Sequence, residues 1–285
     1  MAGKDICSEK GAPAEVMEMR RTLWEKASYL VVLVLLLFPS VNANAQEAVT
    51  IRYAECFRVE EHGHYRVVEV LNPWPGADIR FHYLLKQRGS PTPVGYEDYQ
   101  VVEVPVRSFI SLSTTFIAFI EQLELVELLV GFSDLSRIHS NAILAASKRE
   151  NFREVGRNGN LQVEAVLDLA PEIVFSFASG GFRDAHPKLL EAGLKVGVVG
   201  EYMESHPLGR AEWIKFLGLF TGKQQQAEEI FNRLEKRYLR LAGCTKNLEY
   251  RPVVVTGTPF SGRWYVAGGK SFVGKFLHDA GADYV

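Results

Sequence analysis

A chain of 285 residues has room for about two domain-sized units, and 47% hydrophobic with 23% charged residues is an ordinary globular balance that excludes a disordered or collagen-like chain. Thirty-two Lys+Arg against 34 Asp+Glu leave a formal charge of −2, with no run of like charge to follow a phosphate backbone, so nucleic acid is not an expected partner. The longest apolar run, Tyr29 to Phe38, falls well short of the ~20 residues of a membrane-spanning helix, so no stable membrane span is expected.

That apolar run follows Arg20, Arg21 and Lys26, stops at Pro39 and leads into Ala43-Asn44-Ala45. A basic start, an apolar middle and a small-x-small end form a secretory signal, so residues 1–45 are expected to be a cleaved leader cut after Ala45. Its basic start lies far in, which makes Met17 or Met19 a candidate initiator. Beyond the leader stand two cysteines, Cys56 and Cys244, whose pairing the sequence leaves open. Neither follows the apolar run at a lipid-attachment position, so a soluble periplasmic or secreted protein, a monomer, is expected.

From Thr50 the pattern is β-rich. Ile51 to Val59 and Tyr65 to Leu71 alternate around Glu60-Glu61-His62-Gly63-His64 and predict a hairpin. Asn72-Pro73-Trp74-Pro75-Gly76 is a breaker, Phe81 to Leu85 and Val101 to Val106 are further strands, and residues 46–106 form a β-rich N-terminal segment. From Ser108 strands and helices alternate. The strands are Ser108 to Leu112, Leu128 to Phe132, Ile173 to Phe177 and Lys195 to Val199. The helices start after the hydroxyls Ser113-Thr114-Thr115, at Leu161 and at Pro187. This alternation predicts an α/β fold with a parallel sheet and a ligand crevice at the carboxyl ends of its strands.

Pro207 to Phe220 predicts a helix with Trp213, Ile214, Phe216 and Leu217 as its buried stripe, and Gln224 to Leu241 a long amphipathic helix. Val253 to Thr256 and Ser271 to Asp279 then begin a second α/β unit. The expected division is a first lobe over 107–221, a linker helix over 222–243, and over 244–285 the start of a second lobe that looks incomplete against the ~50-residue lower bound of a domain.

The stretches Arg107–Thr115, Leu161–Leu167 running to Ala170-Pro171-Glu172-Ile173-Val174, Glu191–Val196, Gly268–Phe272 and Ala280-Gly281-Ala282, in this order, resemble the substrate-binding proteins of ABC importers for iron-siderophore, haem and cobalamin-type ligands. The segment Pro207–Trp213 resembles a subgroup that also carries a β-rich leading segment. The resemblance implies two α/β lobes joined by one helix, a small-molecule metal chelate as ligand, an ABC permease as partner, no covalent chemistry and no resident cofactor.

Ser113, Thr114 and Thr115 stand at a strand-to-helix junction, where hydroxyls and free N–H groups can meet a ligand edge; capping the helix is their simpler role. Tyr202, Trp264 and Tyr265, and less directly Trp74, are aromatics that could stack on a flat ligand, with Arg137, Arg183, Arg210 or Arg263 pairing its carboxylates; core packing and surface charge are the alternatives. The resemblance implies permease docking through Glu164, otherwise a solvated helix charge. Its second-lobe counterpart would fall near Lys270, where no carboxylate stands. His62 and His64 flank a glycine but lack a third metal ligand, and no metal site is expected. His139, His186 and His206 fall in loops without a distinguishing pattern.

Enzyme motifs fail on spacing. Gly268-Gly269-Lys270-Ser271 resembles the end of a phosphate loop, but Trp264 stands where its first glycine belongs, and neither G-x-S-x-G nor H-E-x-x-H occurs. The alternatives are a secreted hydrolase or isomerase using the Ser179 loop, and a non-binding fragment whose half-cleft could not bury a ligand.

Overall fold

The computed structural model describes residues 49–157 and 159–285, so the expected leader over 1–45 lies outside the described residues. The first strand, β1 (Phe57–Glu61), starts six residues later than the alternation from Ile51 suggests. Residues 52–56 form no strand and give their N–H groups to carboxylates. Glu212 accepts from Arg52, Tyr53 and Ala54 at 2.7–3.0 Å, and Glu204 accepts from Glu55 and Cys56 at 2.9–3.1 Å. These donors are half-buried and must be satisfied, and the carboxylates take the place of a ladder.

β2 (Tyr65–Leu71) pairs antiparallel with β1, closing the expected hairpin through Gly63. β3 (Arg80–Gln87) is antiparallel to β2, and β4 (Gln100–Val104) runs parallel to β3. These four strands make one sheet in the order β1-β2-β3-β4.

The second sheet is wholly parallel. β5 (Phe109–Ser111) leads through a 3-10 turn, Thr114–Phe116, into α1 (Ile117–Gln122), and β6 (Leu129–Phe132) follows. α2 (Asn141–Ala146) and β7 (Arg153–Glu154) come next, then α3 (Val163–Leu169), β8 (Ile173–Phe177), α4 (His186–Glu191) and β9 (Val196–Val199). Their order in the sheet is β7-β6-β5-β8-β9. β8 is almost wholly buried and β9 entirely so, which fits apolar runs without alternation in a sheet covered on both faces. The short α2 carries little apolar periodicity and starts at Ser140, whose hydroxyl accepts the Ile143 N–H.

α5 (Pro207–Thr221) ends at Gly222, in the left-handed conformation that favours glycine, and α6 (Gln224–Cys244) follows. Gly218 lets the two helices touch: a Cβ there would lie 2.9 Å from the Ala227 Cβ. Instead of a stripe, α5 buries nearly its whole circumference. The cause is its position, because Trp213 meets Phe57 of the first sheet at 4.8 Å while Phe220 meets Phe175 of the second at 5.5 Å. One apolar core therefore runs from Phe57, Val68 and Tyr83 through α5 to Phe109 and Phe175.

The first sheet also covers the open edge of the second. The Gln100 amide donates to the Val196 carbonyl at 3.1 Å and accepts from the Val196 N–H at 2.8 Å, and the Tyr83 hydroxyl accepts from the Val198 N–H at 2.8 Å. Beyond α6 come β10 (Val253–Val254), the small hairpin of β11 (Pro259–Phe260) and β12 (Arg263–Trp264), then α7 (Phe272–Asp279) and β13 (Asp283–Tyr284), which pairs parallel with β10. Ser271 caps α7 by accepting the Gly274 N–H at 3.3 Å. Residues 48–285 form one compact unit. Among the described residues no helix is long and apolar enough to cross a membrane.

Candidate functional site

In the parallel sheet the chain proceeds from β5 outward to β6 on one side and, through β8, to β9 on the other. That reversal opens a crevice outside the carboxyl ends of β5 and β8, where α/β sheets bind ligands. Three loops meet there: Leu112–Thr115 after β5, Ala178–Asp184 after β8, and Gly200–Met203 after β9.

The hydroxyl run does not cap its helix as expected. Ser113 makes no side-chain cap bond. Its buried hydroxyl lies 2.7 Å from that of Thr115, which in turn donates to the Glu201 carboxyl. A six-residue helix entered through a 3-10 turn leaves the hydroxyls free for this sideways relay. Glu201 is buried, and its second oxygen, Oε2, has no partner. Burial raises the pKa of this carboxyl, against the smaller opposing effect of Thr115.

Arg210, from the first turn of α5, is fixed over the same loop. Its Nε donates to the Glu201 carbonyl at 3.2 Å, a terminal nitrogen donates to the Tyr202 carbonyl at 2.9 Å, and its guanidinium lies 4.0 Å above the Phe272 ring of α7. The Tyr202 hydroxyl is shared between the carbonyls of Ala178 at 2.7 Å and Pro73 at 3.1 Å. Burial pushes the Tyr202 phenol up to about 12, with Asp184 and Glu201 adding to it.

The Ser179 loop is built to hold its own shape. Asp184 accepts from the Ser179 and Gly180 N–H groups at 2.8 Å and from the Ser179 hydroxyl at 2.6 Å. Gly180, at φ +75°, lies against the Trp74 indole, which a Cβ would approach to 2.6 Å. His186 stands 4.0 Å from the same Asp184, and it is this acid that the Ser179 hydroxyl contacts. Nucleophilic activation needs the base beside the hydroxyl.

Two adjoining hollows open from this crevice. The larger, about 560 Å³, is lined by Thr115, Glu201 and Arg210, by Leu234, Arg237, Tyr238 and Leu241 of α6, and by Phe272 and Phe276 of α7. The smaller, about 330 Å³, is lined by Tyr202, Met203, Ser205, Ala267 and Ser271. Arg210 and Phe272 line both.

Of the sequence-derived candidates, Ser113, Thr115, Tyr202 and Arg210 are thus brought together. Trp264 and Tyr265 are 59% and 60% exposed around β12 and line neither hollow, and Thr114 is exposed beside Thr115. Glu164 is exposed in the first turn of α3, where a carboxylate complements the helix dipole. His62 stacks on Tyr65 at 4.9 Å, and among the described residues no group of three His, Cys, Asp or Glu could hold a metal. Cys56 and Cys244 are both free thiols. Glu201 and Phe272 were not singled out by sequence. Glu201 carries one signal that could have found it, an acid just past the carboxyl end of a parallel strand.

The crevice of this doubly wound sheet opens onto a long helix and the α/β segment that follows it. Residues 110–285 match the family described as periplasmic binding protein, and the chain belongs to that family. Strands β1 to β4 precede the matched region. An uncharacterized lipoprotein of Methanocaldococcus jannaschii is 25% identical over 247 residues, covering 76% of this chain and 57% of that protein. The chain spans about half the length of the curated relatives it matches, between 40% and 57%. Among solved structures, a Staphylococcus epidermidis protein described as a possible iron-binding periplasmic solute-binding protein aligns with TM-score 0.51 at 17% identity, over 63% of this chain and 67% of that one. The periplasmic haem-binding protein HutB of Vibrio cholerae aligns with TM-score 0.50 at 22% identity, over 62% and 65%. At these identities the two structures establish the fold.

Proposed function

We propose that the protein is the extracytoplasmic solute-binding component of an ABC importer, capturing an iron-siderophore or a related metal chelate such as haem or cobalamin and handing it to the permease. The observation that carries this reading is the cleft of about 560 Å³ at the switch point, walled by the first lobe, the linker helix and α7. Its size is that of a small-molecule site. The iron- and haem-binding descriptions of the two structural neighbours support the ligand class.

In this reading Thr115, Tyr202 and Arg210 contact the ligand and Ser113 holds Thr115 in place. Thr114, Trp264 and Tyr265 contact only a ligand large enough to overhang the hollows. Glu164, exposed on the first lobe, docks on the permease. The protein is exported by cleavage after Ala45 and works as a monomer. Capture is by limited closure about α6, since a continuous helix resists wide bending, and docking releases the ligand by favouring the open state.

Thermal unfolding with and without ferric siderophores, haemin and cobalamin tests the proposal. A ligand at 100 times its Kd adds about 2.7 kcal/mol and raises the midpoint. A selective rise with one chelate is expected; no rise with any of them contradicts the reading.

A further inference from the structure

The hairpin of β11 and β12 carries apolar side chains that the described residues leave uncovered. Its two-residue turn is Ser261-Gly262, both at positive φ, +51° and +75°. Phe260 stands opposite Arg263 and Pro259 opposite Trp264, so the two couples point to opposite faces of the finger. Both faces are bare: Phe260 is 71% exposed, and Pro259, Arg263 and Trp264 are exposed as well. Tyr265 and Val266 continue the exposed run, and Phe260, Trp264 and Tyr265 line neither hollow.

The charge around the finger is one-sided. From Tyr250 to His278 the sequence holds Arg251, Arg263, Lys270 and Lys275 and no Asp or Glu, in a chain whose formal charge is −2. Lys275 is taken by Asp279 at 2.8 Å, and Arg251 turns to the Thr245 and Lys246 carbonyls. Arg263 and Lys270 are exposed and, among the described residues, carry no ion pair. A rigid partner would meet one face of such a finger and leave the other wet, whereas a fluid lipid interface surrounds both. Trp and Tyr rings settle at headgroup level, and cations beside them are drawn to anionic headgroups. No described helix is long and apolar enough to cross a membrane, so the contact is peripheral.

We infer that the β11–β12 hairpin is a membrane-surface contact: Phe260, Trp264 and Tyr265 enter the interface of an anionic bilayer while Arg263 and Lys270 pair with its headgroups. This goes beyond the solute-binding reading and does not depend on which ligand the cleft takes.

Sedimentation with vesicles tests it, phosphatidylcholine alone against phosphatidylcholine mixed with phosphatidylglycerol. The protein is expected to pellet with the anionic vesicles at low salt and much less with the neutral ones. Arg263→Gln and Lys270→Gln should each weaken that binding about fivefold, the factor that one charge near such a surface contributes, and Phe260→Ser about tenfold. Lys188→Gln, which removes an exposed charge from α4, is the control and should leave binding as it was. Nitroxide-labelled lipid is expected to quench tryptophan fluorescence, and Trp264→Phe to remove the quenching while the protein still pellets. Should Phe260→Ser fail to fold by circular dichroism, the two charge variants and Trp264→Phe decide. No pelleting with anionic vesicles, an effect of Lys188→Gln equal to that of Arg263→Gln, or quenching that survives Trp264→Phe overturns the inference. So does a concentration-dependent dimer that Phe260→Ser abolishes, which would give the finger to a second copy of the chain. The rise in unfolding midpoint with a chelate is measured without vesicles, so either reading can fail while the other stands.

Discussion

Glu212 shows how much of this molecule hangs on single buried groups. Its carboxylate accepts three successive backbone N–H groups of the segment before β1 and pairs with Lys215 at 2.9 Å, both side chains being fully buried. Lys215 in turn donates to the Thr50 carbonyl at 2.7 Å and pairs with Glu228 of α6 at 2.8 Å. Removing Glu212 leaves the three N–H groups without their acceptor and the buried Lys215 with Glu228 as its remaining ion partner. Glu212→Ala is expected to cost about 3–5 kcal/mol in urea unfolding, whereas an exposed acid such as Glu164 should cost less than about 0.5 kcal/mol. His206, the N-cap of α5, accepts the Leu208 N–H through Nδ1 at 3.0 Å, and burial, followed by nearby Lys275, lowers its pKa below 6.5. The folded state therefore binds fewer protons than the unfolded one. The resulting stability is complete above the unfolded value of 6.5 and is lost as pH falls from there through the lowered folded value. His206→Asn keeps a capping oxygen and should flatten that part of the stability–pH curve, read as the difference between the two proteins' urea midpoints. Neither role was legible in the sequence. Glu212 looks like one more charge on a helix, and its partners lie up to 160 positions away.

At the scale of elements, the local signals were sound where the chain makes its own partners. The β1–β2 hairpin, β8 and α5 follow from alternation, an apolar run and a Pro-to-Gly span. They failed where partners are distant. Ile51 to Cys56 alternates like a strand, but carboxylates take its donors; Ser113 is placed like a cap, but its hydroxyl turns toward Thr115. The buried edge of β9 is another such case, since two side chains of the first sheet stand in for a missing strand. Gln100→Ala leaves the Val196 donor and acceptor unpaired and is expected to cost about 1–3 kcal/mol, with faster hydrogen exchange at the Val196 amide. Tyr83→Phe removes only the acceptor of the Val198 N–H and should cost about 1–2 kcal/mol. Unchanged exchange at Val196 in Gln100→Ala would mean that this edge is satisfied in some other way.

At the scale of the whole molecule, the first sheet and the parallel sheet share one core through α5, so the two sheets stabilise each other. Arg52 extends that union to α6, pairing with both Glu228 and Glu235 at 3.3 Å. The crevice therefore has a firm floor, from the loops after β5, β8 and β9, and a wall in α6 that is anchored from behind. The class of fold and the place of the crevice were readable from strand–helix alternation. The Glu201–Arg210–Phe272 arrangement was not, because it joins three segments whose proximity only the folded chain creates.

The most direct measurement is hydrogen exchange of the protein with and without the chelate that most raises its unfolding midpoint. Slowed exchange is expected to be confined to the loops after β5, β8 and β9 and to the α5, α6 and α7 segments that line the cleft. Protection located elsewhere, or none at saturating ligand, would contradict it.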